Sequence, residues 1–289
     1  MKKFRTAMVA FAAVGALMVG IGAASAQQQL PDIKIEELRD GLYVIYGGGG
    51  NIGMSAGEEG VFLIDDQYAP LTKSILAAIA KINDGEVHFL INTHHHGDHT
   101  GGNENFGEMG TLIIAHDNVR ARLVAGDRPG AAIPVITFND QASIFINGKE
   151  ARAIHFENAH TDGDSVIYFE AQNLIHMGDI FFRARFPFID VNSGGGVNGM
   201  IHAVTTMIAM SNDDTIIIPG HGQVGGKADL VDYLTMLTTI RDRVQALIDE
   251  GASLEEVLAA KPTEDHDHLS WNFISPERMV TAVYRSLTE

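Results

Sequence analysis

The chain lacks cysteine and has few cationic side chains, and each feature excludes some classes of site or partner. With no cysteine among 289 residues, it can form no disulfide and no metal–thiolate bond, so a metal site must use nitrogen and oxygen ligands. Lys and Arg number 20 against 37 Asp and Glu, for a formal net charge of −17. Nucleic acids are bound by basic surfaces, so we expect no nucleic-acid partner. Solubility is the simplest explanation of so acidic a surface.

The first 26 residues have the three parts of a secretory signal peptide. A basic segment at 2–5 precedes an apolar run at 7–24, and Ala24-Ser25-Ala26 supplies the small residues of a cleavage site. The apolar run is near the lower length limit of a membrane span, but the cleavage-like tripeptide and the glutamines after it favour removal. We expect a mature protein from about Gln27, located in the periplasm or secreted, with no membrane contact after cleavage.

Residues 27–289 predict one α/β domain, since no internal repeat or low-complexity linker divides them. The pattern of apolar residues and breaks predicts strands at 33–46, 51–55, 61–64, 87–91, 112–114, 144–146, 151–155, 166–169, 174–176 and 215–218. It predicts helices at 71–82, 116–125, 200–210, 229–249, 254–260 and 276–287, the last three forming a helical C-terminal part at about 229–289. Two successive sets of strands with helices outside them suggest two stacked sheets covered by helices.

Four metal-competent side chains fall within six residues of one segment: His94, His96, Asp98 and His99. Imidazole nitrogens suit zinc, and a carboxylate adds a hard oxygen ligand. The segment follows the predicted strand 87–91, where a loop can turn alternate residues toward one ion and the next pair toward a second. This pattern predicts a two-metal hydrolytic site. His95 alternates away from its neighbours, so we do not expect it to be a ligand.

Three further candidates lie at strand ends, where side chains can converge at one edge of a fold: His160, Asp179 and His221. Alone, such a histidine is more often a capping or hydrogen-bonding residue, and such an aspartate a helix cap. Together with the first motif, they favour a metal site. We expect the other histidines at 88, 116, 155, 176 and 202 to be structural or surface residues. His266 and His268 resemble a small metal-binding tract, but a solvated turn is the preferred interpretation.

The order of these motifs resembles the metallo-β-lactamase superfamily, from about Tyr43 to His221. It includes Asp65-Asp66 at a strand end, His-x-His-x-Asp-His, a histidine before Gly-Asp, then Gly-Asp and Gly-His-Gly. The resemblance implies an αββα sandwich of two sheets flanked by helices, with the site at one edge. It also implies the ligands: His94, His96 and His160 for a first metal, Asp98, His99 and His221 for a second, and Asp179 as the bridge. We expect two Zn²⁺ ions, with iron or manganese as alternatives.

Such a centre implies a hydrolase in which a water-derived hydroxide, held between the metals, attacks an acyl carbonyl of a small molecule. Asp98 has a second expected role, which is to orient the hydroxide or to pass a proton to the leaving group. Asp65 and Asp66 are candidates for fixing histidine tautomers, with one of them under His96.

The substrate is less defined by the sequence. A β-lactam amide, cleaved even if weakly and promiscuously, is preferred; an ester, thioester or lactone, as in glyoxalase II-like hydrolases, is the alternative. Phe182 stands where zinc β-lactamases carry a lysine for the drug carboxylate. Arg183 or Arg185 could replace that lysine, or could be a solvated pair. A non-catalytic metal-binding protein and a two-iron redox protein are further alternatives.

Two segments are candidate walls of the site. Residues 186–199 combine aromatic residues with a glycine run, which suits either a mobile, partly hydrophobic lid or a long surface connection. Tyr46, residues 47–50 and Met54 form a second candidate wall.

Overall fold

The computed structural model describes residues 30–289. The expected signal peptide at 1–26 and the mature start at Gln27 lie outside the described residues. By their contacts, residues 31–289 form one unit. In this part of the chain, no helix combines the length and apolarity that crossing a membrane requires.

Seven strands form the first sheet in chain order, antiparallel from the first to the fourth and parallel from there on. They are β1 (Lys34–Arg39), β2 (Leu42–Tyr46), β3 (Ile52–Gly57), β4 (Gly60–Ile64), β5 (Val87–Asn92), β6 (Leu112–His116) and β7 (Ile136–Phe138). Every residue of β4 is buried, as expected of a strand covered on both faces. The helices that follow strands of this sheet are α1 (Thr72–Ile79), α2 (Gly97–Thr100), α3 (Asn103–Glu108) and α4 (Asp117–Ala125).

Five strands form the second sheet, which is antiparallel except for its last pair. They are β8 (Gln141–Ile146), β9 (Lys149–His155), β10 (Ser165–Phe169), β11 (Leu174–His176) and β12 (Ile216–Ile218). The remaining helices are α5 (Val197–Met210), α6 (Lys227–Asp249), α7 (Leu254–Ala259) and α8 (Pro276–Thr288). Short 3₁₀ turns lie at Ala69–Leu71, Gly130–Ala132, Gly178–Ile180, Val191–Ser193 and Glu264–Leu269.

The apolar core has three layers, which together confirm the expected αββα sandwich. Side chains such as Phe62 and Ile167 pack between the two sheets. Ile75 of α1 covers the outer face of the first sheet, and Met200 of α5 and Leu237 of α6 cover the second.

The observed strands and helices differ from the predicted ones where the sequence pattern covers only a few residues. The strand predicted at 33–46 is two strands, because Asp40 and Gly41 both have positive φ (50° and 72°) and turn the chain into a hairpin. The helix predicted at 71–82 ends at Ile79. Three elements were not predicted: α2 and α3 are polar and too short to show a helical apolar period, and β7 has only three residues.

Phe62 offers a direct test of the layer between the sheets, since its side chain is 0% exposed. We expect Phe62→Ala to lower the free energy of unfolding by about 3–5 kcal/mol, because it removes transfer energy and leaves a cavity. Phe145 on β8 is 73% exposed, and Phe145→Ala should change it by about 0.5 kcal/mol or less. Urea denaturation followed by circular dichroism measures both; equal losses would contradict the packing.

Candidate metal centre

The loops at one edge of the sandwich carry all seven predicted ligands. From the first sheet, His94 and His96 follow β5, and Asp98 and His99 lie in α2. The second sheet contributes three, since His160 lies between β9 and β10, Asp179 in the 3₁₀ turn after β11, and His221 after β12. The predicted convergence of these distant segments is therefore present in the structure.

The first group comprises His94, His96, His160 and Asp179, whose ligand atoms all lie within 4.8 Å of one another. His96 Nδ1 is 2.9 Å from His160 Nε2. Asp179 Oδ2 lies 3.6 Å from His160 Nε2 and 3.9 Å from His94 Nε2. Four ligands at zinc bond lengths of about 2.0–2.1 Å stand about 3.3 Å apart in a tetrahedron, so these atoms surround a space of the right size for one cation.

The second group comprises Asp98, His99 and His221, again within 4.8 Å. Asp98 Oδ2 is 3.2 Å from His221 Nε2 and 3.6 Å from His99 Nε2. A site with three protein ligands leaves a position open for water or substrate, the pattern of catalytic rather than structural sites.

Asp179 contacts both groups. Besides its first-group neighbours, its Oδ1 is 3.1 Å from His99 Nε2 and its Oδ2 is 3.4 Å from His221 Nε2. One carboxylate thus faces four imidazole rings, which is the arrangement expected of a residue shared between two cations.

Several ligand atoms lack partners in the described part of the chain. His94 Nε2, His99 Nε2 and Asp179 Oδ1 are buried and make no hydrogen bond of acceptable geometry, even though the last two atoms lie 3.1 Å apart, whereas buried polar groups are normally paired. Cations bound among them would satisfy all three atoms. The donor set of nitrogen and oxygen fits a divalent metal, with zinc, iron and manganese all compatible.

The histidines of the two groups differ in pKa. Burial lowers the pKa of His160 to about 4, which leaves a neutral ring that is ready to bind metal. Burial would also lower the pKa of His221, but the carboxylates of Asp179 and Asp98 raise it to about 9. Burial acts likewise on His99, and Asp179 and Asp98 raise its pKa well above the ordinary value. These carboxylates provide the negative charge that attracts a cation.

His99 is held by Asp65, which corrects one prediction. Asp65 Oδ2 accepts from His99 Nδ1 at 2.7 Å and from Thr93 Oγ1 at 2.8 Å. The expectation that Asp65 or Asp66 lies under His96 is wrong, because α2 folds back over the end of β4: the Asp66 N–H donates to the His99 carbonyl at 3.0 Å. Asp66 itself accepts from the Gly102 N–H at 2.9 Å.

The partner of His96 is Asp190, a residue that sequence reasoning missed. His96 Nε2 lies 3.0 Å from Asp190 Oδ2. The segment that contains Asp190 also orients His160. The His160 Nδ1 donates to the Phe188 carbonyl at 2.6 Å, and the Asp190 N–H donates to the His160 carbonyl at 3.0 Å. Asp190 lies 94 residues from His96, and no local pattern links them.

Two glycines make room for the ligands. A Cβ on Gly50 would lie 2.1 Å from His99 Cε1, and one on Gly220 would lie 2.0 Å from Asp179 Oδ1. Both distances are far below van der Waals contact, so any side chain at these positions would displace a ligand.

A cavity of about 630 Å³ opens over the site. Its lining comprises Tyr68, His96, Gly97, Asp98, Asp179, Phe182, Phe188, His221, Trp271 and Phe273. Phe188 confirms that the 186–199 segment borders the site. Tyr46 and Met54 are not part of the lining: the Tyr46 hydroxyl accepts from the Val224 N–H at 3.3 Å, and Met54 packs in the core.

The remaining candidates lie away from the cavity. Arg183 pairs with Asp229 at 2.9 Å, and the Arg185 guanidinium lies 5.2 Å from the ring centroid of Trp271; neither lines the cavity. His95 lies outside the seven-residue cage, beside His96 and Asp190. His266 and His268 lie in the 3₁₀ turn Glu264–Leu269. None of the histidines at 88, 116, 155, 176 and 202 belongs to a metal-competent group in the described chain.

Removing the shared carboxylate tests the arrangement. We expect Asp179→Ala to reduce bound metal from two ions to one, because His94, His96 and His160 still form a group while Asp98, His99 and His221 lose a ligand and much of their negative charge. Metal analysis after dialysis measures this. Asp213→Ala, at an exposed site, is the control, and two tightly bound ions in Asp179→Ala would show that the bridge is misplaced.

The Asp190 contact generates a second prediction. Asp190→Asn keeps the side-chain volume but weakens the hold on His96, and outer partners of this kind are worth about 10–100-fold in metal affinity. We expect that loss for one of the two ions only, measured by titration against a competing chelator. Equal weakening of both ions, or none, would contradict the positioning role.

Comparison with known proteins agrees with this geometry. The model of the metallo-beta-lactamase superfamily matches residues 45–221. Hydroxyacylglutathione hydrolase of Polaromonas sp. (strain JS666 / ATCC BAA-500) is 28% identical over 54% of this chain, which spans 56% of that relative's length. Metallo-beta-lactamase type 2 of Elizabethkingia meningoseptica is 28% identical over 85% of this chain and 99% of that protein.

Among solved structures, the DIM-1 metallo-beta-lactamase shares the fold, with a TM-score of 0.64 and 16% identity over 73% of this chain and 99% of that one. The matched residues 45–221 include all seven candidate ligands and most of the strands that position them. The chain therefore belongs to the metallo-β-lactamase superfamily.

Proposed function

We propose that this protein is a dinuclear metal-dependent hydrolase of small-molecule acyl compounds. The observation that carries the proposal is Asp179, one buried carboxylate facing four imidazoles at the floor of an open cavity. Two Zn²⁺ ions are the proposed cofactor, and iron or manganese fits the same donors. We further propose a periplasmic or secreted location, which rests on the sequence of residues 1–26.

The candidate ligands form two metal-binding groups, and Asp179 lies between them. In this proposal His94, His96 and His160 hold the first ion, and Asp98, His99 and His221 the second. When bound, the cations supply Lewis acidity, which makes water nucleophilic at neutral pH and polarises an acyl carbonyl. The protein fixes the ligand orientations through Asp65, Asp190 and the Phe188 carbonyl.

Asp98 is the proposed catalytic residue, because it both belongs to the second group and lines the cavity. Burial would raise the pKa of Asp98, but His99 and a hydrogen bond from His221 hold it below its ordinary value. The ionised carboxylate can orient a water molecule at the cavity floor, take its proton and deliver that proton to the leaving group.

A β-lactam amide is the first candidate substrate. Its support is the relative from Elizabethkingia meningoseptica, which bears the name metallo-beta-lactamase and aligns over nearly its whole length. An ester, thioester or lactone is the second candidate. Its support is the lining of the cavity, where Phe182 is present and no Lys or Arg occurs, together with the hydroxyacylglutathione hydrolase relative.

Hydrolysis by the mature, zinc-loaded protein tests the proposal. We expect turnover of at least one of nitrocefin, an acyl thioester and a lactone, with loss of activity on chelation and recovery with Zn²⁺. Robust thioester or lactone turnover without nitrocefin cleavage would select the second candidate. Two bound metals with no turnover of any acyl substrate would instead support a non-catalytic metal-binding protein.

Asp98→Asn tests the catalytic role within the same assay. General acid–base groups contribute about 10²–10⁴-fold, so kcat/KM should fall by that range, whereas Asp213→Ala should leave it unchanged. Metal content is measured in parallel. Full activity of Asp98→Asn with both ions bound would rule out Asp98 as the proton carrier.

A further inference from the structure

Five aromatic side chains surround the cavity above the metal centre and form what we term the aromatic wall: Tyr68, Phe182, Phe188, Trp271 and Phe273. Four of these rings, those of Phe188, Phe273, Trp271 and Phe182, contact one another in sequence. The ring centroids of Phe188 and Phe273 are 5.3 Å apart, those of Phe273 and Trp271 5.6 Å, and those of Trp271 and Phe182 6.4 Å. These separations are typical of interacting aromatic pairs, so these four rings form one continuous surface, and Tyr68 lines the cavity separately from them.

Two rings of the wall stack directly on histidines of the metal centre. Phe182 stacks on the His221 ring at 5.1 Å with an interplanar angle of 20°, and Phe188 stacks on His96 at 5.7 Å and 27°. A group bound against these rings is therefore beside the ligands of both cation groups, within reach of a reacting carbonyl.

Two of the four rings in contact, Trp271 and Phe273, come from the C-terminal part of the protein. Trp271 and Phe273 lie between the 3₁₀ turn Glu264–Leu269 and α8, beyond residues 45–221 that match the superfamily. Trp271 is fixed in place, since its Nε1 donates to the Phe186 carbonyl at 3.0 Å and its N–H to the Ile274 carbonyl at 3.1 Å. This side of the wall is a feature of the chain outside the family core.

The wall contains no positive charge. Arg185 lies 5.2 Å from the Trp271 ring centroid and Arg278 lies 4.5 Å from that of Phe273, yet neither side chain is part of the cavity lining. A carboxylate placed against the Trp271 and Phe273 rings would lose water, and the cavity lining offers no lysine or arginine to pair with it, which is unfavourable. An uncharged ring would instead exchange water for aromatic contacts.

We propose that the aromatic wall binds an uncharged aromatic ring carried by the acyl part of the substrate, and that Trp271 and Phe273 determine this specificity. The proposal deepens the hydrolase function and rests on it for turnover, but not for binding. It names a class of substrate, neutral aryl-acyl compounds, and it disfavours substrates whose acyl part ends in a carboxylate.

A series of thioesters with one common thiol tests the preference. Phenylacetyl, acetyl and succinyl thioesters of N-acetylcysteamine offer a neutral ring, a small neutral group and a carboxylate in turn. For the zinc-loaded protein we expect kcat/KM for the phenylacetyl compound to exceed that for the acetyl compound by at least tenfold, with the succinyl compound the poorest. Equal values for the three, or a preference for succinyl, would overturn the proposal.

Variants assign the preference to the C-terminal residues. Phe273 is 43% exposed, so Phe273→Ala should fold, and we expect it to reduce the phenylacetyl-to-acetyl ratio of kcat/KM by about tenfold. Trp271→Leu should do the same, and Phe273→Tyr, which keeps the ring, should retain the ratio. The matched control is Phe145→Ala, at an exposed phenylalanine outside the lining. An unchanged ratio in both Phe273→Ala and Trp271→Leu would overturn the assignment.

Binding without turnover separates this inference from the proposed function. Trp271 is the single tryptophan of the chain, so its fluorescence reports on the wall, and phenylacetamide is a neutral probe that is not an ester or thioester. We expect saturable quenching by phenylacetamide but not by acetamide, with binding weakened at least fivefold in Phe273→Ala. Such binding in a protein that hydrolyses no acyl substrate would support the wall and reject the hydrolase. Turnover with no saturable binding would do the reverse.

Discussion

The site depends on the burial of one carboxylate, Asp179, among imidazole rings. A buried carboxylate is costly unless it is paired, and here four rings from His94, His99, His160 and His221 stand within 3.9 Å of its oxygens. The pKa of Asp179 is held well below its ordinary value by His221 and His99, although burial alone would raise it. Asp179 is therefore ionised at neutral pH, and cations bound beside it would balance its charge.

This carboxylate is also where the two sheets meet. The first sheet supplies four of the ligands from the segment after β5, and the second supplies three from three separate loops. Neither sheet holds a complete cation site by itself, because His94 and His96 need His160, and Asp98 and His99 need His221. The packing of Phe62 and Ile167 between the sheets therefore sets the distances within the metal centre as well as the stability of the fold.

The parts of the site that could be predicted from sequence are those with a local signature. His94 to His99 lie within six residues, and strand ends place His160, Asp179 and His221 at one edge of an αββα sandwich. The partners of these ligands have no such signature. Asp190 reaches His96 across 94 positions, and Asp65 serves His99 rather than His96 only because α2 folds back over β4. The contribution of Trp271 and Phe273 was missed for the same reason, since an aromatic pair before a C-terminal helix is indistinguishable in sequence from ordinary core packing.

The placement of Trp271 and Phe273 has a consequence for how the cavity can be changed. The metal-competent residues lie within residues 94–221, whereas Trp271 and Phe273, which line the same cavity, lie some fifty positions later in the chain. Substitutions in the later stretch can change the lining of the cavity while the metal-competent residues stay untouched. The lining of the cavity and the metal-competent residues beneath it can therefore be altered independently within one chain.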